Sequence, residues 1–313
     1  MISEPSAAPS GGDAAAPQYG FRVKPLTPQR RGGRMVNAMS VDVEDYFQVQ
    51  ALAGVVDRSR WDDQPRRVER NTQIILDLFA AHGVRATFFT LGWVADRHPE
   101  LIRRIVAEGH ELASHGSQHR RVDQQSPEEF RQDIRDARRR LEDLGGVTVQ
   151  GYRAPTFSIG AANLWAFDVL ASEGYSYSSS VYPVRHDYYG MASAPRFAFL
   201  PRPGHDFEEY PMTTVRVGGR NLPGGGGGFF RLLPYALTRA AISRVNTLDG
   251  QAAIFYFHPW EIDADQPRYP GLPFKSRFRH YLNLNKTLGR LERLITDFRW
   301  DRLDRVFLPP AIQ

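Results

Sequence analysis

Apolar residues recur with two alternating periods along most of the chain. Short runs of alternating or continuous apolar residues predict strands at 39–43, 86–90, 110–114, 147–152 and 252–257. Apolar residues at helical spacing predict helices at 68–82, 101–108, 126–144, 161–173, 234–247 and 282–298, and glycine follows four of them. Strands that alternate with helices predict βα units around a parallel sheet, so the expected fold class is α/β.

Three segments interrupt this rhythm and define the expected domain organisation. Residues 1–34 are rich in Ala, Pro, Gly and Ser, which predicts a disordered tail. Residues 182–230 hold many Pro, Gly and aromatic residues, which indicates a long irregular insertion with a hairpin at 213–221. We therefore expect a main domain over 35–261 that includes this insertion. A C-terminal extension over 262–313 begins with another long loop and ends in a helix.

Composition narrows the class of protein. There are 40 basic and 35 acidic residues, a net charge of +5, and five of the basic residues lie in the first 34 positions. The rest of the chain is nearly balanced, which is not typical of a nucleic-acid-binding surface. Cysteine is absent, so disulfides, thiol nucleophiles and iron–sulfur clusters are excluded, and any metal needs His, Asp or Glu. No run of about 18 apolar residues occurs, and the first 20 residues lack the basic and apolar regions of a signal peptide, so no secretory signal peptide is expected.

Polar residues follow four of the predicted strands, at the carboxyl ends where ligands bind in α/β folds. The first cluster places Asp42, Glu44 and Asp45 after an apolar strand, where three carboxylates repel one another unless a cation neutralises them. The second cluster places His115 and His119 four residues apart, on one face if the segment is a helical turn. Together they form a two-His, one-carboxylate set that suits a divalent metal. Each cluster alone is also explained by ordinary solvated residues.

The other two clusters supply an arginine and a histidine. Arg153 lies at the mouth of a predicted strand, where its guanidinium can pair bidentately with a carboxylate and hold it ionised. His258 ends the strongly apolar strand Ile-Phe-Tyr-Phe, and a polar residue there indicates a site rather than a core. Taken singly, an ordinary surface arginine and a structural histidine explain them equally well.

In this order the motifs resemble the polysaccharide deacetylases of the NodB-homology type, carbohydrate esterase family 4. The general resemblance covers about residues 36–260, and Gly174-Tyr175 with 178–181 matches the strand of a further family motif. The stretches Asp-Val-Glu-Asp-Tyr-Phe and Phe-His-Pro-Trp-Glu resemble the members encoded with exosortase-type exopolysaccharide systems, and this narrower likeness extends through the last helix. The resemblance implies a deformed (β/α) barrel, here with long loop insertions and a C-terminal helix.

The resemblance also implies a role for each site residue. Asp42 would be the catalytic base, oriented by Arg153, and His258 the general acid. Glu44, His115 and His119 would bind one divalent ion, zinc first, with cobalt, nickel or manganese as alternatives. The implied reaction is removal of N-acetyl groups from a polysaccharide, here an exopolysaccharide, by a metal-activated water. The expected substrate-binding residues are Thr156, whose backbone N–H would stabilise the oxyanion, Phe157, Trp93, Tyr182, Phe255 in the apolar pocket, and Trp260.

Departures from the family pattern limit what carries over. Val43 separates two acids that usually adjoin, so the metal-binding carboxylate is either Glu44 or Asp45. Gly116 replaces the usual Ser between the histidines. Serines at 178–180 stand where the family often has an acid that tunes the catalytic histidine, so that histidine's partner is not identified. The long loops have no counterpart in the minimal domain, so substrate preference does not transfer.

Other functions stay open on sequence alone. An amidase of the same fold would act on peptidoglycan or a small cyclic amide, and a closed cavity would favour the small amide over a glycan. An open groove lined by Trp93, Tyr182 or Trp260 would favour a glycan. A non-haem iron oxygenase uses the same ligand types, but the extra Asp, Arg and His argue against it. The alternative without catalysis is a silent glycan-binding protein of a polysaccharide assembly system.

The expected partner is an N-acetylated polysaccharide. No nucleic acid and no transmembrane segment are expected, and a homo-oligomer is left open. The expected location is the cytoplasm or the periphery of the cell envelope.

Overall fold

Thirteen strands, ten α-helices and six short 3₁₀ helices form the regular structure of residues 19–308, the part of the chain that this computed structural model describes. The strands are β1 Arg22–Val23, β2 Arg30–Arg31, β3 Arg34–Val43, β4 Thr87–Thr90, β5 Glu111–Ser114, β6 Gly151–Tyr152, β7 Tyr177–Ser178, β8 Phe199–Leu200, β9 Glu208–Glu209, β10 Thr214–Val217, β11 Arg220–Pro223, β12 Ile254–Phe257 and β13 Arg299–Asp301. The helices are α1 Val68–His82, α2 Gly92–Arg97, α3 Pro99–Ala107, α4 Pro127–Gly145, α5 Trp165–Ser172, α6 Gly228–Leu232, α7 Tyr235–Thr247, α8 Phe274–Tyr281, α9 Leu284–Asp297 and α10 Leu303–Phe307. Within 19–308, every helix is too short or too polar to cross a membrane.

A parallel sheet forms the centre of the fold, as the sequence predicts. Its strands run in the order β12-β3-β4-β5-β6-β7-β9, and each neighbouring pair is parallel. Helices α1, α3, α4 and α5 connect consecutive strands, since parallel neighbours need a crossover. The register pairs Asp42 with Phe89 and Ser114 with Tyr152, so the carboxyl ends of these strands lie at one edge.

The sheet curves back toward β12 through a glycine-rich segment rather than a regular strand. The backbone N–H of Tyr256 donates to Gly225 O at 2.8 Å, and Gly227 N–H donates to Tyr256 O at 2.9 Å. A Cβ on Gly226, which has φ +111°, would lie 2.0 Å from Tyr256 O, so only glycine permits this approach. The result is a barrel whose ladder is interrupted within the described residues, consistent with the expected deformed barrel.

The structure corrects three predictions about the loops. Residues 19–34 lie in the predicted disordered tail, but β1 pairs with β8 and β2 with β3, whereas residues 1–18 fall outside the described range. The hairpin in 182–230 is confirmed as β10–β11, but β8 and β9 join the main sheet, so this insertion is partly regular. The loop predicted at the start of 262–313 contains α8, and β13 pairs with β3. The strands that the sequence did not predict have two or three residues each, which is too short for an alternation of apolar and polar residues to be recognised.

Strand β3 shows how alternation positions the polar residues. Met39 and Val41 pack in the apolar cluster beneath the helices, whereas Ala38 belongs to the cluster inside the barrel. Ser40 and Asp42 share the side of Ala38, because successive side chains of a strand point to opposite faces. The strand therefore delivers a carboxylate to the barrel interior.

A buried carboxyl at the start of β5 makes stability depend on pH. Glu111 accepts hydrogen bonds from Thr87 Oγ1 at 2.5 Å and Tyr177 Oη at 2.7 Å. Burial, and then the carboxylate of Asp304, raise the pKa of Glu111 from 4.5 to about 8. The folded state thus binds this proton more tightly than the unfolded state. The stabilisation is complete below pH 4.5 and is lost as the pH rises to about 8.

We expect Glu111→Gln to flatten this decline in the free energy of unfolding. The effect across the window should be on the order of a few kcal/mol, since each pKa unit corresponds to about 1.4 kcal/mol. Urea unfolding at the two ends of the window measures it. The control is Glu128→Gln, whose parent carboxylate side chain is 84% exposed. Equal pH slopes for wild type and Glu111→Gln would contradict the assignment.

Candidate active site

The two predicted histidines lie in a loop after β5, not on the helical turn that their spacing suggested. Gly116 has φ +76° and His119 has φ +50°, so both adopt the left-handed conformation. A Cβ at Gly116 would lie 2.8 Å from Asp133 Oδ2, so this position favours glycine in its backbone conformation and in its space. His119 tolerates a conformation that is uncommon for residues other than glycine, and such strain is concentrated at functional sites. The ring centroids of His115 and His119 are 5.3 Å apart.

The side chain of Glu44 meets both histidines. Its Oε2 lies 2.8 Å from His119 Nε2 and 4.0 Å from His115 Nε2. His115 Nδ1 lies 2.8 Å from Arg153 O, a contact that orients the other ring nitrogen toward Glu44. Among residues 19–308, no donor makes a hydrogen bond of good geometry to the buried Glu44 Oε2. Three converging ligand atoms with one oxygen left unsatisfied are what a single divalent ion requires.

Electrostatics keep Glu44 and His115 in the protonation states that bind a metal. Burial would raise the pKa of Glu44, but His119 and His258 outweigh it and lower the pKa to about 2. Burial lowers the pKa of His115 to about 4. At neutral pH the site therefore presents a carboxylate and a neutral imidazole, the states that bind a metal.

Asp45, the alternative metal ligand, is occupied elsewhere. Its Oδ1 accepts a hydrogen bond from Tyr46 N–H at 2.9 Å. Its Oδ2 accepts from the backbone N–H groups of Arg67 and Val68 at 2.7 and 3.0 Å. Both oxygens thus fix the start of a turn and of α1, and Glu44 is the carboxylate that lies with the two histidines.

Arg153 is fully buried and holds Asp42. Its Nη1 donates to Asp42 Oδ1 at 2.6 Å and to Ser40 Oγ at 2.8 Å. Its Nε and Nη2 donate to the carbonyl and hydroxyl oxygens of Ser179, both at 3.0 Å. The pairing with Asp42 is therefore through one nitrogen, not bidentate as the sequence suggested. Asp42 Oδ2 stays directed toward His258 Nε2, 3.8 Å away.

A carboxylate that sequence reasoning missed lies behind Arg153. Glu209 is fully buried, and its Oε1 accepts from the N–H groups of Ser180 and Val181 at 2.8 Å each. These bonds fix the backbone of Ser180 and Val181, next to Ser179, whose two oxygens accept hydrogen bonds from Arg153.

His258 has a partner that sequence reasoning also missed. Its Nδ1 lies 2.8 Å from Glu261 Oε1, and its Nε2 lies 3.4 Å from Glu44 Oε1. Pro259 begins a short turn, Pro259–Ile262, which brings positions three apart onto one side. The signal was therefore present in the stretch Phe-His-Pro-Trp-Glu, as an acid three residues after the histidine.

Glu261 is itself buried and anchored. It is 1% exposed, and its Oε2 lies 3.6 Å from the Nε of buried Arg231. Burial would lower the pKa of His258, but Glu44, Glu261 and Asp42 outweigh it and raise the pKa to about 9. His258 is therefore kept protonated among three carboxylates.

Two of the predicted substrate-binding residues lie in the core instead. Trp93 is 7% exposed and packs edge-on against Phe47 and Trp61. Phe255 is fully buried on the outer side of β12, against Phe230. Strand alternation turns Tyr256 rather than Phe255 to the barrel interior, where its ring lies 5.6 Å from His258.

The other predicted substrate-binding residues lie around the site. Thr156 and Phe157 have φ +56° and +49°, and Phe157 packs 5.5 Å from Tyr182. Tyr182 is fully buried against Phe157, so it does not line an open groove. Trp260 stacks on His258 at 5.3 Å, and its Nε1 donates to Glu44 Oε1 at 3.4 Å.

A pocket of about 290 Å³ opens beside His258. Its walls include His186, Tyr189, Phe229, Tyr256 and Trp260. The rings of His186 and Tyr189 are stacked at 4.0 Å. The pocket is thus predominantly aromatic and comes largely from the segments outside the βα units.

A sequence model described as "Polysaccharide deacetylase" matches residues 59–177. Over these residues the chain is similar to the polysaccharide deacetylase family. A second model, described as "Domain of unknown function (DUF3473)", matches residues 179–308. His115, His119 and Arg153 lie in the deacetylase region. His258 and its partner lie in the second region, so the site needs both.

Two named relatives show the same similarity over part of the chain. A chitooligosaccharide deacetylase of Bradyrhizobium sp. (strain ANU 289) is 35% identical over 101 residues, 32% of this chain and 44% of that protein. A peptidoglycan-N-acetylglucosamine deacetylase of Bacillus cereus is 34% identical over 84 residues, 27% of this chain and 30% of that protein. These matches span less than half of each relative.

A likeness in fold to a solved structure extends over most of the chain. A crystal structure of a Mycobacterium smegmatis protein, provisionally named a polysaccharide deacetylase, superposes with a TM-score of 0.60. The alignment has 19% identity and covers 91% of this chain and 93% of that one. This likeness supports the α/β deformed-barrel architecture.

Proposed function

We propose that this protein is a metal-dependent hydrolase that removes N-acetyl groups from a polysaccharide. The observation that supports it best is the convergence of Glu44, His115 and His119, with Asp42 on one side and His258 near both carboxylates. A base, an ion site and a proton donor within reach of one another are the set that amide hydrolysis needs.

We assign the ion to Glu44, His115 and His119, which fit one divalent metal, with zinc favoured by the nitrogen and carboxylate ligands. The chemistry that such an ion supplies is Lewis acidity at the acetyl carbonyl and at water.

The chain's own residues carry out the proton transfers. Asp42, held as a base by Arg153, accepts the proton of the attacking water. His258, oriented by Glu261, donates a proton to the departing amine, which is otherwise a poor leaving group. The backbone N–H near Thr156 is the proposed donor to the oxyanion.

For the substrate, we propose an N-acetylglucosamine-containing glycan, with exopolysaccharide as the cellular form. The named relatives act on chitooligosaccharide and on peptidoglycan N-acetylglucosamine. The pocket beside His258 is partly open and lined with stacked aromatic rings, a surface suited to the faces of sugar rings.

Metal-reconstituted protein is expected to release acetate from N-acetylglucosamine oligomers, and His115→Ala is expected to lose both metal and activity. The loss should exceed the roughly 10- to 100-fold caused by changes behind a metal ligand. Metal content per chain and acetate release are measured on the same samples, with exposed His205 changed to Ala as the control. Release by His115→Ala at the wild-type rate would refute the metal site. Bound metal without release from any N-acetylated glycan would refute the deacetylase proposal.

A further inference from the structure

The mouth of the pocket is rimmed by exposed apolar side chains. Tyr188, Leu232 and Phe278 line its outer part and are 43%, 47% and 47% exposed. Phe274 lies one turn before Phe278 on α8, stacked at 6.3 Å, and is 75% exposed. We call these four residues the aromatic rim. Exposed large apolar groups gathered at one place mark a surface that contacts something else.

The rim lies in a strongly basic part of the chain. Residues 266–291 contain six basic residues and no Asp or Glu. On α8, Lys275, Arg277 and Arg279 flank the two phenylalanines. Asp187 takes contacts from both Lys275 and Arg279, at 3.6 Å in the case of Arg279 Nη2, and so neutralises only part of this charge.

Phe274 is 75% exposed on the first turn of α8, where it lines an open depression together with Phe278 and Arg277. Aromatic groups that stand out beside cations are the pattern of a helix that lies in a membrane interface. The cations then gain from anionic headgroups as the rings enter the acyl boundary.

We propose that the aromatic rim and the cations of α8 bind the surface of an anionic lipid bilayer. The pocket opens through the same rim, so binding turns its mouth toward the headgroups. This orientation suits a glycan held at a membrane, a consequence that rests on the proposed function. The proposed binding to the bilayer surface does not depend on that function.

The test is co-sedimentation of the full chain with vesicles of phosphatidylcholine, with and without phosphatidylglycerol. We expect binding only when phosphatidylglycerol is present, weakened by added salt. Phe274→Ser with Phe278→Ser should lower partitioning at least about tenfold, because both rings lose their burial in lipid. Arg277→Glu should lower it as well. The matched control replaces two exposed leucines elsewhere, Leu237→Ser with Leu248→Ser, which are 52% and 69% exposed in the parent chain.

Two outcomes would overturn the proposal directly. In the first, the wild-type protein does not bind phosphatidylglycerol vesicles. In the second, the leucine control loses as much vesicle binding as the phenylalanine variant. Unchanged vesicle binding by the double serine variant, with weaker binding of N-acetylglucosamine oligomers, would make the rim a glycan subsite. Asp42→Asn should bind vesicles like wild type, which separates this result from failure of the proposed activity.

Discussion

Asp42→Asn is expected to lower acetate release by about 10²- to 10⁴-fold, the range that a positioned general base contributes, while the metal stays bound. Asparagine is close in size and still offers an oxygen to Arg153 Nη1, which lies 2.6 Å from Asp42 Oδ1. Its amide nitrogen cannot accept a proton, so only the step assigned to Asp42 fails. The proposed ligands Glu44, His115 and His119 are unchanged.

Turnover and metal content measured on the same samples test this assignment. The control is Asp62→Asn, which alters an exposed aspartate that contacts Arg97 through two 2.6 Å hydrogen bonds. A turnover number near that of wild type would show that Asp42 is not the base. Loss of metal together with activity would make Asp42 a ligand instead.

The sequence predicts the parallel core of the fold because long amphipathic helices separate clear strands. It predicts the irregular half poorly, because β8 and β9 have two residues each and are held by pairing rather than by pattern. The helix α8 is missed because its phenylalanines stay exposed, so it lacks the buried stripe by which a helix is recognised.

The site is predictable to the extent that its residues end regular strands. Asp42 and His258 follow from β3 and β12, and the proposed metal ligands follow from the acidic cluster and the histidine spacing. Phe255 is misplaced because a fully apolar strand does not show which of its faces points inward. Glu209 lies on a strand of two residues and is brought to Arg153 only by the folded chain.

The residues of the proposed chemistry come from three parts of the chain, because Asp42 and Glu44 precede both matched regions. The deacetylase region carries His115, His119 and Arg153, whereas the region of unknown function carries His258 and Glu261. The second region therefore supplies His258, the proposed proton donor. It also supplies Glu261, the acid beside His258, from the short turn Pro259–Ile262. This makes Glu261 the residue whose replacement most directly tests what the second region contributes.

Glu261→Gln is expected to lower kcat by about 10- to 100-fold, the range for a residue that orients and charges a reacting side chain, with little change in KM. In the wild-type protein His258 Nδ1 lies 2.8 Å from Glu261 Oε1. The amide oxygen of glutamine can still accept this hydrogen bond, so the ring keeps its orientation. The negative charge that stabilises the protonated ring is lost. The alkaline limit of the pH–rate profile, set by loss of the proton from His258, should therefore move to lower pH.

A structural role would give a different result, and Glu261→Ala separates the two. It removes orientation as well as charge and leaves Arg231, 3% exposed, without its carboxylate, so both kcat and melting temperature should fall. The control is Glu69→Gln, which alters a second His–Glu contact, 3.1 Å from His98 Nδ1, and should leave the pH profile unchanged. If Glu261→Gln lowers the melting temperature but leaves the profile in place, Glu261 serves only to neutralise Arg231. In that case His258 depends on Asp42 and Glu44 alone for its charge.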